Sequence, residues 1–454
     1  MKNTKVLILA AGQGTRMRSK RAKVLHPLCG KKILDYVIDN AEAAGAAEIG
    51  VIVGYQAEQV QASLTPEIKI YRQQEQLGTA HAVMMALPFF ENFSGSLMVL
   101  VGDAPFTRRE TLRAMLETHE KNGYGVTVLT AEFKDPFGYG RMIKNAAGEL
   151  LAIIEEKDAD ATQKLVKEIN SGMYCFDAQA LAAALKEVNT DNAAGEYYLT
   201  DVIEIIRKTG LKAGTYVTDD PDDIAAINSK QQLAQAETLM RGRINAALMD
   251  EGAIITDPAT TYIGPDVKIA ADAEILPGTI LEGQTVIGQD SVIGPYSRLK
   301  DAVIGERVTI ENSTVLESSV GHDTKVGPYA YIRPGSVIGQ GCKVGDFVEV
   351  KNSNMGDHSK ASHLTYIGDG DVGQGVNLGC GTVFVNYDGK NKYRTVVEDQ
   401  AFVGCNTNLI APVTVKKGAY IAAGSTITDE VPEDSLAIAR CRQVNKEGYL
   451  KKKK

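Results

Sequence analysis

Tryptophan is absent from this 454-residue chain, and aromatic residues make up only 6% of it. A platform for stacking single-stranded bases is therefore a poor fit. A basic surplus is lacking too: 57 Asp and Glu outnumber 49 Lys and Arg, and the net charge of −8 argues against general nucleic-acid binding. The six cysteines are Cys29, Cys175, Cys342, Cys380, Cys405 and Cys441, and none lies in a CxxC pair, which disfavours zinc ribbons and redox motifs. Long apolar runs are also missing. The opening MKNTKVLILAAG is too short in hydrophobic residues for a signal peptide or a membrane span. The expectation is a reducing, cytoplasmic compartment with no membrane insertion.

What is present is globular. Apolar residues at 44% and charged residues at 23% suit a large core, and the length predicts two or three domains. Glycine is unevenly spread: 19 of the 44 fall before residue 252 and 25 from Gly252 onward. The first half alternates β-branched runs with helical spacing. Strands are expected at Lys5–Ala11, Glu48–Val53 and Ser96–Val101, and helices at Ile33–Ala44 and Thr79–Leu87. That order predicts a parallel sheet with helices on both faces and ligands at the carboxyl ends of its strands. Ser229–Asp250 carries Leu233, Ala236, Met240, Ile244, Ala247 and Leu248 at helical spacing. It reads either as a connecting helix or as the last helix of the first domain.

After Gly252 the period becomes six. Aliphatic residues recur at Ile287, Ile293 and Leu299, at Val326, Ile332, Ile338, Val344 and Val350, and at Val397, Val403, Leu409, Val415, Ile421 and Ile427. Such a hexapeptide repeat signals a parallel β-helix whose coils bury a continuous column. The repeat is expected to break once, between Gly379 and Val397, where CGTVFVNYDGKNKYRTV forms a loop. From Arg440 onward the tail is basic, and its four final lysines read as a solvated end.

Two chemical centres emerge. After the first strand, Leu9-Ala10-Ala11-Gly12-Gln13-Gly14-Thr15-Arg16 offers a glycine turn whose amides can cradle phosphate, with Arg16 and Lys23 nearby. The run GTRMRSKRAKVLHPLCGKKIL resembles the signature of sugar-nucleotide pyrophosphorylases. The segment QQEQLGTAHA from Gln73 resembles their nucleotide-base segment, and Gly102-Asp103-Ala-Pro resembles their metal-binding turn. Gly138-Tyr-Gly140-Arg, Glu155-Glu-Lys-Asp, Asn170-Ser-Gly and Asn228 continue the pattern. The resemblance implies nucleotidyl transfer with Lys23 and Arg16 steadying the triphosphate. Mg²⁺ would sit on Asp103 and Asn228. Gln73, Gly78 and Thr79 would meet the uracil, and Gly140, Glu155 and Asn170 the amino sugar. Leu9, Ala10, Ala11, Gly12, Gly14 and Gly102 complete the UTP and UDP-sugar contacts it implies.

The second half holds Tyr331-Ile-Arg333-Pro, Asp346-Phe-Val-Glu349-Val-Lys351, Ser362-His363-Leu-Thr-Tyr366-Ile-Gly, Val376-Asn377-Leu-Gly-Cys380-Gly and Asn386-Tyr387-Asp-Gly. Acetyl transfer to a sugar amine needs a base, and imidazole suits neutral pH. Joined to the first half, these motifs resemble the bacterial family of bifunctional N-acetylglucosamine-1-phosphate uridyltransferases and glucosamine-1-phosphate N-acetyltransferases. That resemblance implies an α/β fold plus β-solenoid: a Rossmann-like nucleotidyltransferase domain over 1–229, a helical linker over 230–251 and a left-handed parallel β-helix over 252–454. It makes His363 the base. Arg333, Glu349, Lys351, Tyr366, Asn377 and Asn386 would hold glucosamine 1-phosphate. Cys380, Asn386, Tyr387, Cys405, Ala423 and Arg440 would hold acetyl-CoA. The product, UDP-N-acetylglucosamine, feeds peptidoglycan and other envelope polysaccharides. A homotrimer is implied, with the basic tail reaching a neighbour's active site. Cys380 and Cys405 stand where the family usually has Ala and Ser, and Val101 where a Tyr is common. His322 and His358 read as surface residues. Two rival readings predict other sequences: a single-activity nucleotidyltransferase would lack a base and phosphate clamp on its solenoid, and a non-catalytic scaffold would have lost the glycine loop or Asp103.

Overall fold

The computed structural model describes residues 3–450, and the chain divides into two compact units, Met1–Met240 and Arg241–Lys454. The four terminal lysines lie outside the described residues. Among the described residues no helix is long and apolar enough to cross a membrane.

In the first unit, strands pair in the order Ala213–Val217, Val126–Glu132, Glu168–Asp177, Ser96–Val101, Thr4–Ala10, Glu48–Val53, Lys69–Arg72. The hairpin Arg141–Lys144/Leu150–Ile154 hangs from Glu168–Asp177. Side chains alternate across the pleat. Val6, Ile8 and Ala10 therefore join one core with α1 (Ile33–Ala44), α2 (Ala57–Gln61) and α5 (Arg109–Asn122), while Leu7 joins the other. That second core holds α3 (Thr79–Met85), α4 (Leu87–Phe90), α6 (Ala178–Ala184) and α7 (Val202–Lys208). α1 buries Ile33, Leu34, Val37, Ala41 and Ala44 at helical spacing and ends at Gly45, whose φ of 96° lets the chain turn away.

Two expectations need correction. The sheet is mixed, because Glu168–Asp177 runs antiparallel to both of its neighbours. It returns through a hairpin and a short 3₁₀ turn, with no crossover helix to carry the chain back to the starting edge. The helix expected over Thr79–Leu87 ends at Met85, and Pro88 opens a separate turn. α8 spans Lys230–Asp250 as one helix.

In the second unit, two- to four-residue strands stack into three parallel sheets of eleven, ten and nine strands among the described residues, each strand pairing with the third one after it until Tyr420–Ile421, which pairs with Leu436–Ala437, the second one after it. Every aliphatic residue of the six-residue series lies in one core, which runs from Leu248 to Val431. The expectation of a single break is corrected as well. Five-residue sides occur from Leu299 to Ile304, from Ile310 to Val315 and Val320, from Val350 to Met355 and from Ile367 to Val372. Each of these sides includes a residue of left-handed φ, namely Asp301, Asn312, Glu317, Asn352 and Asp369. The same left-handed φ marks six-residue sides, at Tyr296, Tyr329, Phe347 and Leu364, so the column accepts both lengths with one corner conformation. The loop itself is confined to residues 386–394, because Val383–Val385 and Thr395–Val397 are already strands.

Buried corner hydroxyls splice successive coils. Ser291 Oγ donates to Gly305 O at 2.9 Å and accepts from Val308 N at 3.0 Å; Thr324 and Ser359 do the same two and four coils on. Replacing Ile332→Ala, which leaves a void in the middle of the column, is expected to cost roughly 2–5 kcal/mol. The urea midpoint of the second unit's unfolding transition measures this.

Candidate active sites

The first site sits at the carboxyl ends of the strands Thr4–Ala10 and Ser96–Val101. A cavity of about 350 Å³ is lined there by Leu9, Ala10, Ala11, Gly12, Lys23, Gln73, Gly78, Thr79 and Asp103, with Val24, Gln76, Ala82, Val101 and Glu196. Lys23 is the hub: its ammonium donates to an Asp103 carboxylate oxygen and, at 2.9 Å, to Asn228 Oδ1. Residues 125 positions apart thus aim oxygens at one cation. Gly14 has φ 58°, and a Cβ there would come within 2.9 Å of Lys23 Cβ. A Cβ on Gly78, at φ 120°, would come within 2.4 Å of Tyr197 O. Gly102 N donates to Leu9 O at 2.9 Å, closing the two strand ends together. Gln73 is only 4% exposed, and its Nε2 donates to Gly78 O at 3.1 Å.

Beside the cavity lies a second cluster. Asn170 N donates to Gly140 O at 2.9 Å, and a Cβ on Gly140 would stand 3.3 Å from Glu155 Oε1. Asn170 donates to the Tyr174 hydroxyl at 2.9 Å and accepts from Gly172 N at 2.9 Å. Burial, with Asp158 and Asp201 nearby, pushes the Glu155 carboxyl above its ordinary range. Val101 lines the cavity and also stands 3.5 Å from where a Gly172 Cβ would be, so the two clusters adjoin. Arg16 is exposed on the 3₁₀ turn Thr15–Met17 and is not part of the cavity lining.

The second site follows the solenoid's repeat. Asp346 and His363 are in register on adjacent coils, with His363 Nδ1 2.5 Å from Asp346 Oδ1 and the imidazole 54% exposed. That bond holds the Asp346 carboxyl below its usual range. The next coils continue the same corner. Gly381 N donates to Leu364 O, Asn406 N to Cys380 O and Gly424 N to Cys405 O, and the Arg440 side chain lies 3.6 Å from a Cβ on Gly424. His363, Cys380, Cys405, Ala423 and Arg440 therefore form one row. On the neighbouring face Arg333 pairs with Glu349 at 2.7 Å, and Glu349 is in register with Tyr366. Lys351 Nζ lies 3.3 Å from Asp369, which also accepts from Asn386 and, at 2.7 Å, from Asn352. Burial works to raise the Asp369 carboxyl, but these donors outweigh it and hold it low. Asn377 lies in register between Lys360 and Phe402, one strand before Cys380. Tyr387, exposed in the loop, donates to Gly389 O at 2.7 Å.

With this geometry in view, comparison with known proteins is specific. A family model described as nucleotidyl transferase matches residues 5–238, and one described as the GMPPB C-terminal domain matches residues 262–363. The bifunctional protein GlmU of Geobacillus sp. (strain WCH70) is 52% identical over 444 residues, covering 98% of this chain and 97% of the relative. The GlmU of Alkaliphilus oremlandii is 54% identical over 449 residues, covering 99% and 98%. The chain belongs to the bifunctional GlmU family. That of Halalkalibacterium halodurans matches at 49% identity across 100% of both chains. In this GlmU family member the solenoid is a left-handed parallel β-helix.

Sequence reasoning about this GlmU family member missed Asp369, Asp346, Lys392 and Glu196. Lys392 reaches Lys351 from the loop, and Lys351 pushes the Lys392 ammonium down. The signal was available: partners one coil apart are 16 to 18 positions apart, as in Arg333–Glu349, Asp346–His363 and Lys351–Asp369. Because burial raises Glu155, its folded-state pKa exceeds the unfolded one. Its favourable contribution is complete below the ordinary carboxyl pKa and is lost as pH rises through the raised one. Glu155→Gln is therefore expected to raise the melting temperature of the first unit at neutral pH, with the gap closing in acid. Thermal melts across pH measure it.

Proposed function

We propose that the chain makes UDP-N-acetylglucosamine in two steps. The solenoid moves acetyl from acetyl-CoA to glucosamine 1-phosphate, releasing coenzyme A. The α/β unit then joins N-acetylglucosamine 1-phosphate to UTP, releasing pyrophosphate. The observation that carries this reading is the corner row, which sets the His363–Asp346 imidazole–carboxylate pair at the head of a line of residues on successive coils.

In acetyl transfer the amine lone pair attacks the thioester carbonyl. With Nδ1 of His363 engaged by Asp346, Nε2 is the nitrogen left to take the amine proton. Asn386 donates its amide to Asp369, so its carbonyl oxygen remains to accept from the amine and orient it. Arg333 and Lys351 supply cations for the phosphate, with Glu349, Tyr366 and Asn377 around the sugar. Cys380, Tyr387, Cys405, Ala423 and Arg440 follow the donor along the row. Neither cysteine is needed as a nucleophile, since the amine attacks the thioester directly.

In uridylyl transfer a sugar phosphate oxygen attacks the α-phosphorus and pyrophosphate leaves on the opposite side. Gln73 has spent its amide on Gly78, which leaves its carbonyl oxygen for the uracil N3–H beside Gly78 and Thr79. The amides around Gly12 and Gly14, with Lys23, would face the triphosphate, and Arg16, exposed outside the cavity lining, would approach it from solvent. Asp103 and Asn228 fit a resident Mg²⁺, because their oxygens already converge on the Lys23 ammonium. Among the described residues no group of three or more His, Cys, Asp or Glu converges as a metal cage, so the remaining ligands would be phosphate and water, as Mg²⁺ prefers. When bound, the ion supplies neutralising charge at the reacting phosphate. The Gly140, Glu155 and Asn170 cluster would receive the N-acetylated sugar. The reaction belongs to the cytoplasm, where its nucleotide and thioester are made.

The same reading assembles three copies. Tyr296, Tyr329, Phe347 and Leu364 are exposed, share left-handed φ and follow one corner, with Tyr329 and Phe347 stacked at 5.6 Å. This ridge, interrupted by Asn312, adjoins the row headed by His363 at Leu364, so a second copy seated on it would wall that row.

His363→Ala is expected to lower acetyl transfer by roughly 10²–10⁴-fold while sparing uridylyl transfer from supplied N-acetylglucosamine 1-phosphate; Asp103→Ala should do the reverse. Coenzyme A and pyrophosphate release, assayed separately, check both, and loss of both reactions from either change in a folded protein overturns the two-centre reading. The double variant Tyr329→Ser/Phe347→Ser is expected to shift the sedimenting species from trimer toward monomer.

A further inference from the structure

The carboxylate of Asp223 is fully buried yet belongs to no reacting group. It accepts from Arg108 Nε at 2.8 Å and Arg108 Nη2 at 3.0 Å, from Thr218 Oγ1 at 3.0 Å and from Thr111 Oγ1. Its backbone oxygen accepts from Thr107 Oγ1 at 2.7 Å. Thr107, Arg108 and Thr111 follow Asp103 on the loop and first turn leading into α5; Asp223 precedes Asn228 by five residues. The two segments also meet directly, since Ile227 N donates to Asp103 O at 2.9 Å. A buried charge is costly unless fully paired, and here that cost is offset by a knot joining the two chain segments that bring Asp103 and Asn228 to the same point.

We propose that Asp223 is a positioning residue for the divalent cation: its knot with Arg108, Thr111, Thr218 and Thr107 fixes the spacing of the Asp103 and Asn228 oxygens. This inference rests on the proposed cation site and adds the residue that sets its geometry. Asp223→Asn keeps the shape while weakening every charge-assisted bond, so the two oxygens no longer hold one separation.

Mn²⁺ titrated into the full-length protein holding UDP-N-acetylglucosamine, without pyrophosphate, reads cation binding in the absence of turnover by electron paramagnetic resonance. Asp223→Asn is expected to bind Mn²⁺ about tenfold more weakly, the low end for a residue that supports metal ligands. The Mg²⁺ concentration for half-maximal uridylyl transfer should rise in step, with kcat returning toward wild type at saturating Mg²⁺. Wild-type Mn²⁺ affinity in Asp223→Asn, or lost activity that added Mg²⁺ does not restore, overturns the inference. Asp103→Ala separates the two layers: if it binds Mn²⁺ as wild type does, the cation site itself is wrong. Should Asp223→Asn fail to fold, Thr111→Val and Thr218→Val each remove one bond and carry the same test, and normal Mn²⁺ affinity in both overturns the inference equally.

Discussion

In-register stacking of coils is the constraint on which the second half depends. Each side of a coil places one aliphatic residue inward, and strand pairing fixes what stands above and below it. The same pairing turns sequence separation into adjacency. His363 meets Asp346, Lys351 meets Asp369 and Cys380 meets Cys405 because one turn of the solenoid separates them. A rigid scaffold of this kind suits a reaction between two bound substrates, because orientation is set before either arrives.

The first unit solves a different problem. Its reactants are both polyanions, so it must gather cations and oxygen donors at one mouth. It does so with strand ends, glycine turns and a return segment. Lys23, Asp103 and Asn228 come from three remote parts of the chain and meet through hydrogen bonds. The glycines serve this convergence: Gly78 lets Tyr197 approach its backbone, and Gly14 lies against Lys23, each at a position that a side chain would block.

The two sites also set their carboxylates differently. On the solenoid, Asp346 and Asp369 are held low by the hydrogen-bond donors aimed at them, although Asp369 is buried. Beside the cavity of the first unit, burial and the neighbouring Asp158 and Asp201 push Glu155 up. The charge of the neighbours, more than exposure, separates the two.

Local periodicity was enough to reveal much of the fold. The six-residue repeat, the strands Glu48–Val53 and Ser96–Val101 and the helix Ile33–Ala44 were legible, because burial and turn chemistry act on neighbours along the chain; the motif residues were singled out by their resemblance to a family. The antiparallel strand Glu168–Asp177 was not, since pairing direction depends on how the chain returns. The five-residue sides hid the phase between Leu299 and Val326, because each shorter side moves the next inward residue out of the six-residue frame. Nor did sequence mark out Asp369 or Asp223, each a lone acid among many. What made them matter was the set of donors aimed at each, most of them contributed by residues 17 to more than 100 positions away, and only folding could bring those donors together.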